Sequence, residues 1–173
     1  MLCPDCSFDN IQGMDNCEAC GQPLATLDPS GGELERSISR HSIGVLCPKP
    51  PLTVGLQHPV STAIETMSLQ NVGCLLVVDD NSDLVGIFTE RDVLNRFSSD
   101  RSRLADPVGD FMTPTPVTVS QDDSIAYALH AMDLGGYRHL PVVDQDDRPT
   151  GIISVRDILS FLCIRFAELR STA

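Results

Sequence analysis

Basic residues are scarce in this chain: 12 Lys and Arg stand against 24 Asp and Glu, a formal net charge of -12. That balance argues against non-specific attraction to nucleic acid or an anionic membrane, because phosphate backbones are bound chiefly through Lys and Arg. The acid excess is read as a solvated surface that keeps the protein soluble. No apolar run approaches the ~20 residues needed to span a bilayer. The opening Met1-Leu2-Cys3-Pro4-Asp5-Cys6 has neither the basic nor the apolar region of a signal peptide, so a cytoplasmic location is expected. Also missing are a nucleophile with its base, a paired-carboxylate site and an open metal site, and no enzyme activity is expected. His41, His58 and His130 have no cysteine or carboxylate arrangement that would make them metal ligands.

With 173 residues and 42% apolar content, the chain can bury one ordinary core. Its first forty residues are too polar and glycine-rich to share that core, which implies one main domain and a small appendage. Of the seven cysteines, four lie in the first twenty residues, while Cys47, Cys74 and Cys163 are scattered singly. A disulfide framework would not leave this distribution, so a metal site in a reducing compartment is the better account. Cys74 and Cys163 lie in apolar patterns and are expected in the core.

Cys3-Pro4-Asp5-Cys6 and Cys17-Glu18-Ala19-Cys20 are two C-x-x-C pairs, each able to curl round one metal ion and together supplying four thiolates to a tetrahedral site. Pro4 restricts the first turn, and Gly21 supplies permissive backbone after the second. A redox-active C-x-x-C should open a helix beside a strand, whereas Pro, Gly and Asn fill this neighbourhood. Rubredoxin-type iron, an iron-sulfur cluster and free thiols remain alternatives to a closed structural zinc site. A segment this short cannot build an apolar core, so metal binding would be coupled to folding, with Leu2, Phe8, Ile11, Met14 and Leu24 at hand to cover it. The pattern resembles the short zinc ribbons at the ends of many bacterial and archaeal proteins, which implies a role in interaction, although Ser7 stands where that pattern often has Gly. Pro and Gly in residues 25–40 predict a flexible tether with a short helix from about Glu33 to His41.

The remainder repeats itself. Thr53-Val54 corresponds to Thr118-Val119, Met67 to Met132, Val77-Val78-Asp79 to Val142-Val143-Asp144, Gly86-Ile87 to Gly151-Ile152 and Arg91-Asp92 to Arg156-Asp157, always 65 residues apart. The correspondence extends back to Ile43-Gly44 and Val108-Gly109, so each copy includes a lead-in. Two units too small to bury their own faces imply a pseudo-symmetric pair. In each, a short extended piece (52–54, 117–119) precedes apolar residues at helical spacing (Val60, Ile64, Met67, Leu69; Ile125, Leu129, Met132, Leu134). Two strands follow, 74–78 and 84–88 or 140–143 and 150–153, each pair joined by a polar turn. Thr89 and Ser154 then sit where a helix N-cap belongs. The predicted unit is β-α-β-β-α, a mixed α/β fold.

At the last strand-to-helix junction both copies carry Gly-Ile-x-[Ser/Thr]-x-Arg-Asp. A hydroxyl, free amides and the positive end of a helix dipole converge there, which suits a phosphate or ribose oxygen. Asp92 or Asp157 can accept from a ribose diol, and Arg91 or Arg156 can reach a phosphate. Read residue by residue, simple capping explains either copy equally well.

Residues 40 to 165 resemble a tandem CBS-domain pair, the Bateman module, whose G-h-x-[ST]-x-x-D motif and preceding L-x-V-V-D strand both copies carry. The resemblance implies two repeats packed sheet to sheet, with two clefts holding AMP, ADP or ATP, or in other members S-adenosylmethionine, NAD-type dinucleotides or Mg-nucleotide. One cleft would use Thr89 and Asp92 with Thr115 and Val117 beside the base; the other would use Ser154 and Asp157 with Pro50 and Leu52. Arg138, and with it His139, would reach phosphates. Gly73 and Cys74 offer no charge at the matching places of the first copy, so the Ser154/Asp157 cleft is expected to be the better site for a phosphorylated ligand. The expected organisation is a zinc ribbon (1–24), a linker (25–40), repeats at 41–100 and 101–165 and a tail (166–173), assembled as a homodimer and sensing adenine nucleotides without catalysis. A ribbon-mediated adaptor or transcription-associated protein on a CBS dimer scaffold is the alternative; residues 3–20 contain no Lys or Arg, which favours a protein partner over DNA. A redox sensor at the C-x-x-C pairs is a third.

Overall fold

The computed structural model describes residues 2–3, 5–10, 16–22, 24, 38–98 and 101–171. The first repeat runs β1 (Thr53–Gly55), α1 (Val60–Gln70), β2 (Cys74–Val78), β3 (Leu84–Thr89) and α2 (Glu90–Phe97). The second runs β5 (Val119–Ser120), α3 (Ile125–Gly135), β6 (His139–Val143), β7 (Pro149–Ser154) and α4 (Val155–Ser171), after a short strand β4 (Thr113–Pro114). The β-α-β-β-α unit expected from the repeat is therefore present twice. In each copy the first strand runs parallel to the second and the last two are antiparallel.

Alternation along β2 explains its unbroken apolar run. Leu75 and Val77 enter a core with α1 residues Val60, Ala63 and Met67 and with Phe88 of β3. Cys74 and Leu76 point the other way and cluster with Ile87, against which Ile152 of the second repeat packs. A strand covered on both faces has no polar side to show. The second repeat has its own core of Val119, Ile125, Ala128, Met132, Leu140, Val142, Ile153 and Ile158. Leu69 and Leu134, counted on the apolar faces of their helices, are instead exposed.

The lead-in segments cross over. Ile43 and Leu46 pack in the second repeat's core, whereas their counterparts Val108 and Phe111 pack in the first. The backbone follows: Ile43 N donates to Asp123 O at 2.8 Å, and Val108 N donates to His58 O at 2.8 Å. Further along, β4 pairs antiparallel with β3, Gly86 opposite Pro114, while Lys49 bridges Ile152 through two hydrogen bonds of 3.2 and 3.0 Å. The glycine shared by both copies makes this approach possible. A Cβ on Gly86 would lie 2.8 Å from Met112 Cγ and 3.1 Å from Thr113 O, and one on Gly151 would lie 2.8 Å from Pro48 Cβ.

Some expectations are revised. Residues 38–40 are helical, as the predicted linker helix requires, but its earlier part lies outside the described residues. Helix α4 continues to Ser171, through the boundary expected at 165, so no separate tail begins there. Cys163 is exposed on α4 and not in the core; Cys74 is buried, as expected. In the ribbon, Leu24 is buried with Cys3 and Cys17, but Leu2 and Phe8 point outward, and Ile11 and Met14 lie outside the described residues.

Candidate functional site

At both strand-to-helix junctions the hydroxyl and carboxylate of the shared motif meet. Thr89 caps α2: its Oγ1 accepts from Asp92 N at 3.3 Å, while Asp92 Oδ2 accepts from Thr89 N at 2.9 Å and Thr89 Oγ1 at 2.7 Å. Ser154 and Asp157 repeat these three bonds, in the same order, at 3.4, 2.8 and 2.6 Å. Capping thus uses one carboxylate oxygen, Oδ2, in each copy.

A cavity of about 280 Å³ opens beside Thr89 and Asp92, close to the lower end of the range for small-molecule pockets. Four segments line it: Gly73 at the entry to β2, the β3–α2 junction with Arg91, the lead-in from Thr113 to Val117, and Gly135 to Leu140 of the second repeat, including Arg138 and His139. The structure therefore brings together Thr89, Arg91, Asp92, Thr115, Val117, Arg138 and His139. Thr115 holds φ 46°, unusual for a β-branched residue, and its N–H donates to Val85 O at 3.1 Å. Arg91 Nη1 donates to Gly136 O at 3.3 Å, tying the two repeats together across the cavity.

The sequence reading set Arg138 and His139 with the Ser154/Asp157 cleft; the structure places both in the lining of the cavity beside Thr89 and Asp92. His139 does pair with Ser154 in the sheet. Yet the two sheets face each other, so the entry to β6 lies against the end of β3. The His139 ring packs close to Gly73, where an added Cβ would meet its Cε1 at 3.1 Å. Burial pushes the His139 imidazole below its ordinary value, partly offset by the nearby Glu90 and Asp157 carboxylates. Arg138 and His139 thus both line that cavity.

Around Asp157 the composition differs. Arg156 and Pro50 are exposed, and Leu52 packs against the first repeat's core. The residue sequence reasoning missed is Lys49, whose Nζ lies 3.5 Å from Asp157 Oδ1. Burial pushes the Asp157 carboxyl up, but the Ser154 hydroxyl and amide and the Lys49 ammonium outweigh it and hold it below its ordinary value. Lys49 is the only lysine of the chain and corresponds by the 65-residue offset to Pro114, a cavity residue of the first cleft. That offset was the available signal. Tyr137 and Glu90 are further lining residues that the motif does not reveal.

In the ribbon, the sulfurs of Cys3, Cys6, Cys17 and Cys20 all lie within 4.8 Å of one another. Cys3 and Cys20 are 3.6 Å apart, as are Cys6 and Cys17. Four thiolates about 2.3 Å from one zinc ion stand roughly 3.8 Å apart along a tetrahedron's edges, so the donor set fits a closed thiolate site. Burial raises the Cys17 thiol, but the backbone amides of Cys20 and Ala19 and the Asn10 side chain outweigh it and bring it down to about 6. The Gln22 amide draws Cys20 down, yet loss of solvent and the neighbouring thiols push it up to about 12, as expected where ionising one thiol opposes ionising the next.

A sequence profile described as the CBS domain matches residues 43–99 and again residues 108–163. A 17.7 kDa protein of Acidianus ambivalens is 35% identical over 99 residues, which are 57% of this chain and 59% of that protein. Inosine-5'-monophosphate dehydrogenase of Methanocaldococcus jannaschii is 37% identical over 111 residues, 64% of this chain but 21% of the enzyme. The chain thus spans less than two thirds of each relative's length. Among solved structures, CBSX2 in complex with AMP is 26% identical, with a TM-score of 0.61 over 69% of this chain and 94% of that one.

Proposed function

The chain belongs to the CBS-domain family, and on that premise we propose that it is a non-catalytic regulatory protein sensing adenine nucleotides of the AMP, ADP or ATP kind between its two repeats. The observation that carries this is the cavity joining Thr89, Asp92, Thr115, Val117, Arg138 and His139. The AMP complex of the related CBSX2 supports the ligand class. In the first cleft Asp92 accepts from the ribose diol, Thr115 and Val117 flank the base, and Arg138, aided by Arg91 and His139, takes the phosphate. In the second, Ser154 and Asp157 take the same roles with Pro50 and Leu52 at the base and Lys49 and Arg156 as cations.

Both clefts draw on both repeats, so a bound ligand reports on the packing between them. It shifts that packing only through unequal affinity for two arrangements. The domain limits we propose are a ribbon at 1–24, a linker at 25–40 and repeats at 41–100 and 101–165. The ribbon's four thiolates hold a structural zinc ion that folds the segment, and the free thiols suit a reducing compartment, the cytoplasm. Among the described residues no helix is long and apolar enough to cross a membrane. Leu94, Leu159, Ile164 and Phe166 are exposed apolar residues of α2 and α4, and a homodimer would cover them. Leu2 and Phe8, outward on a ribbon without basic residues, favour a second role for that end as a contact for a protein partner.

Thermal melting of the whole zinc-loaded chain against AMP, ADP, Mg-ATP, NAD and S-adenosylmethionine tests the proposal. A ligand at ~100 times its dissociation constant adds about 2.7 kcal/mol, a rise of several degrees. An adenine nucleotide that raises Tm in the parent and not in Asp92→Asn supports the sensor. No shift with any of the five overturns it and leaves the adaptor.

A further inference from the structure

We propose that Asn10 is a positioning residue for the ribbon's metal ion, one that joins the two cysteine turns and stabilises the Cys17 thiolate. The inference rests on the reading of the four cysteines as a metal centre. Among the described residues Asn10 is the only buried polar side chain, 4% exposed. Its Nδ2 donates to Phe8 O at 2.9 Å and to Cys17 Sγ at 3.5 Å, and its Oδ1 accepts from Glu18 N at 2.9 Å. A backbone N–H on one side and a carbonyl and sulfur on the other admit only one orientation of the amide.

Each partner has a place in the site. Phe8 O also accepts from Cys3 N at 2.9 Å, so it closes the first turn round its cysteine. Glu18 N follows Cys17 directly and opens the second turn, which Cys17 O closes by accepting from Gly21 N at 2.8 Å. Asn10 thereby holds the backbone of one turn at a fixed distance from the backbone and sulfur of the other. Four thiolates round a dication carry net negative charge, and an N–H aimed at one sulfur disperses it. Asp, of the same size, would keep the acceptor toward Glu18 and lose the donor, placing a carboxylate beside the thiolate.

Cobalt(II) titration of the reduced, metal-free full chain tests this, followed by thiolate-to-cobalt absorption and competition with a chelator. The wild-type chain should bind one equivalent with the spectrum of a tetrahedral four-thiolate site; failure there overturns the metal reading itself. Asn10→Asp should bind cobalt roughly 10–100-fold more weakly, shift the charge-transfer band, and let Cys17 be alkylated faster in the metal-loaded protein. Melting of the CBS pair, unchanged in the variant, would place the defect in the ribbon. In cadmium-113-loaded wild-type protein, a scalar coupling between the Asn10 side-chain amide proton and the metal would report the N–H···S bond directly. Wild-type cobalt binding with an unaffected Asn10→Asp, or no amide-to-cadmium coupling in a loaded site, would overturn the assignment.

Discussion

The two clefts descend from one pattern and have become different sites. Both keep the hydroxyl, the carboxylate and the helix start in nearly the same geometry. They differ at what surrounds that frame. The first has Arg138, His139 and Pro114 in its lining; by the 65-residue offset their counterparts are Gly73, which lines that same cavity, Cys74, which is buried with Leu76 and Ile87, and Lys49, which pairs with Asp157. Thr115 takes a left-handed backbone beside the first cleft, and its counterpart is Pro50, whose ring excludes that conformation. The first cavity is therefore lined by the guanidinium groups of Arg91 and Arg138, while the Asp157 carboxylate already has the flexible Lys49 ammonium 3.5 Å away.

Arg138→Ala should give the largest effect. A charge-assisted bond to phosphate contributes about 1.5–3 kcal/mol, so AMP binding to the first cleft should weaken roughly 10–100-fold by calorimetry, with adenosine little affected. Loss of binding only at the second cleft would return Arg138 to the place the repeat alignment first suggested. Next, Asp92→Ala and Asp157→Ala each remove a capping partner as well as the ribose acceptor. Each should lower ligand-free stability by ~1 kcal/mol, a few degrees in Tm, but Asp92→Ala should remove the tighter ligand site.

A smaller effect is expected from Lys49→Met, because an ion pair with so exposed a lysine is worth little in itself. Nucleotide affinity at the second cleft should drop a few-fold. As Lys49 is the only lysine, an amine-selective reagent followed by peptide mass mapping should show it protected by nucleotide, and full labelling under saturating ligand would remove it from the site. The smallest effect concerns pH. Burial holds His139 below its ordinary value of 6.5, so the folded state binds fewer protons there than the unfolded chain. Its contribution to stability is present above pH 6.5 and is lost as the pH falls below it. Melting between pH 7.5 and 5.5 should show a shallower decline for His139→Gln, whereas Cys74, the matching residue of the other repeat, offers no such dependence.

Much of this frame was legible because it repeats. The 65-residue offset delimits the units, the cysteine spacing marks the cluster of four thiols, and the Gly-Ile-x-[Ser/Thr]-x-Arg-Asp motif puts Thr89 and Ser154 at helix starts. What periodicity does not carry is which repeat's side chains enter which cleft. Arg138 was assigned by its own strand, although packing of the two sheets delivers it across the pseudo-twofold axis. Lys49 carries no motif signal because its counterpart in the other repeat is Pro114, so no residue shared by the repeats marks it. Cys163 shows the other limit: an apolar neighbourhood on α4 marks a face, but nothing within the described chain covers that face, and its thiol is exposed.

The crossed lead-ins have a historical consequence. A protein made of one such repeat has no complete cleft of its own; it would have to borrow Ile43-like and Lys49-like segments from a second molecule, and the two clefts so formed would be identical by symmetry. Joining two copies in one gene releases that identity, since each side of the axis can then change alone. Gly73 matched to Arg138, Cys74 to His139 and Lys49 to Pro114 record how far one inheritance has split into two.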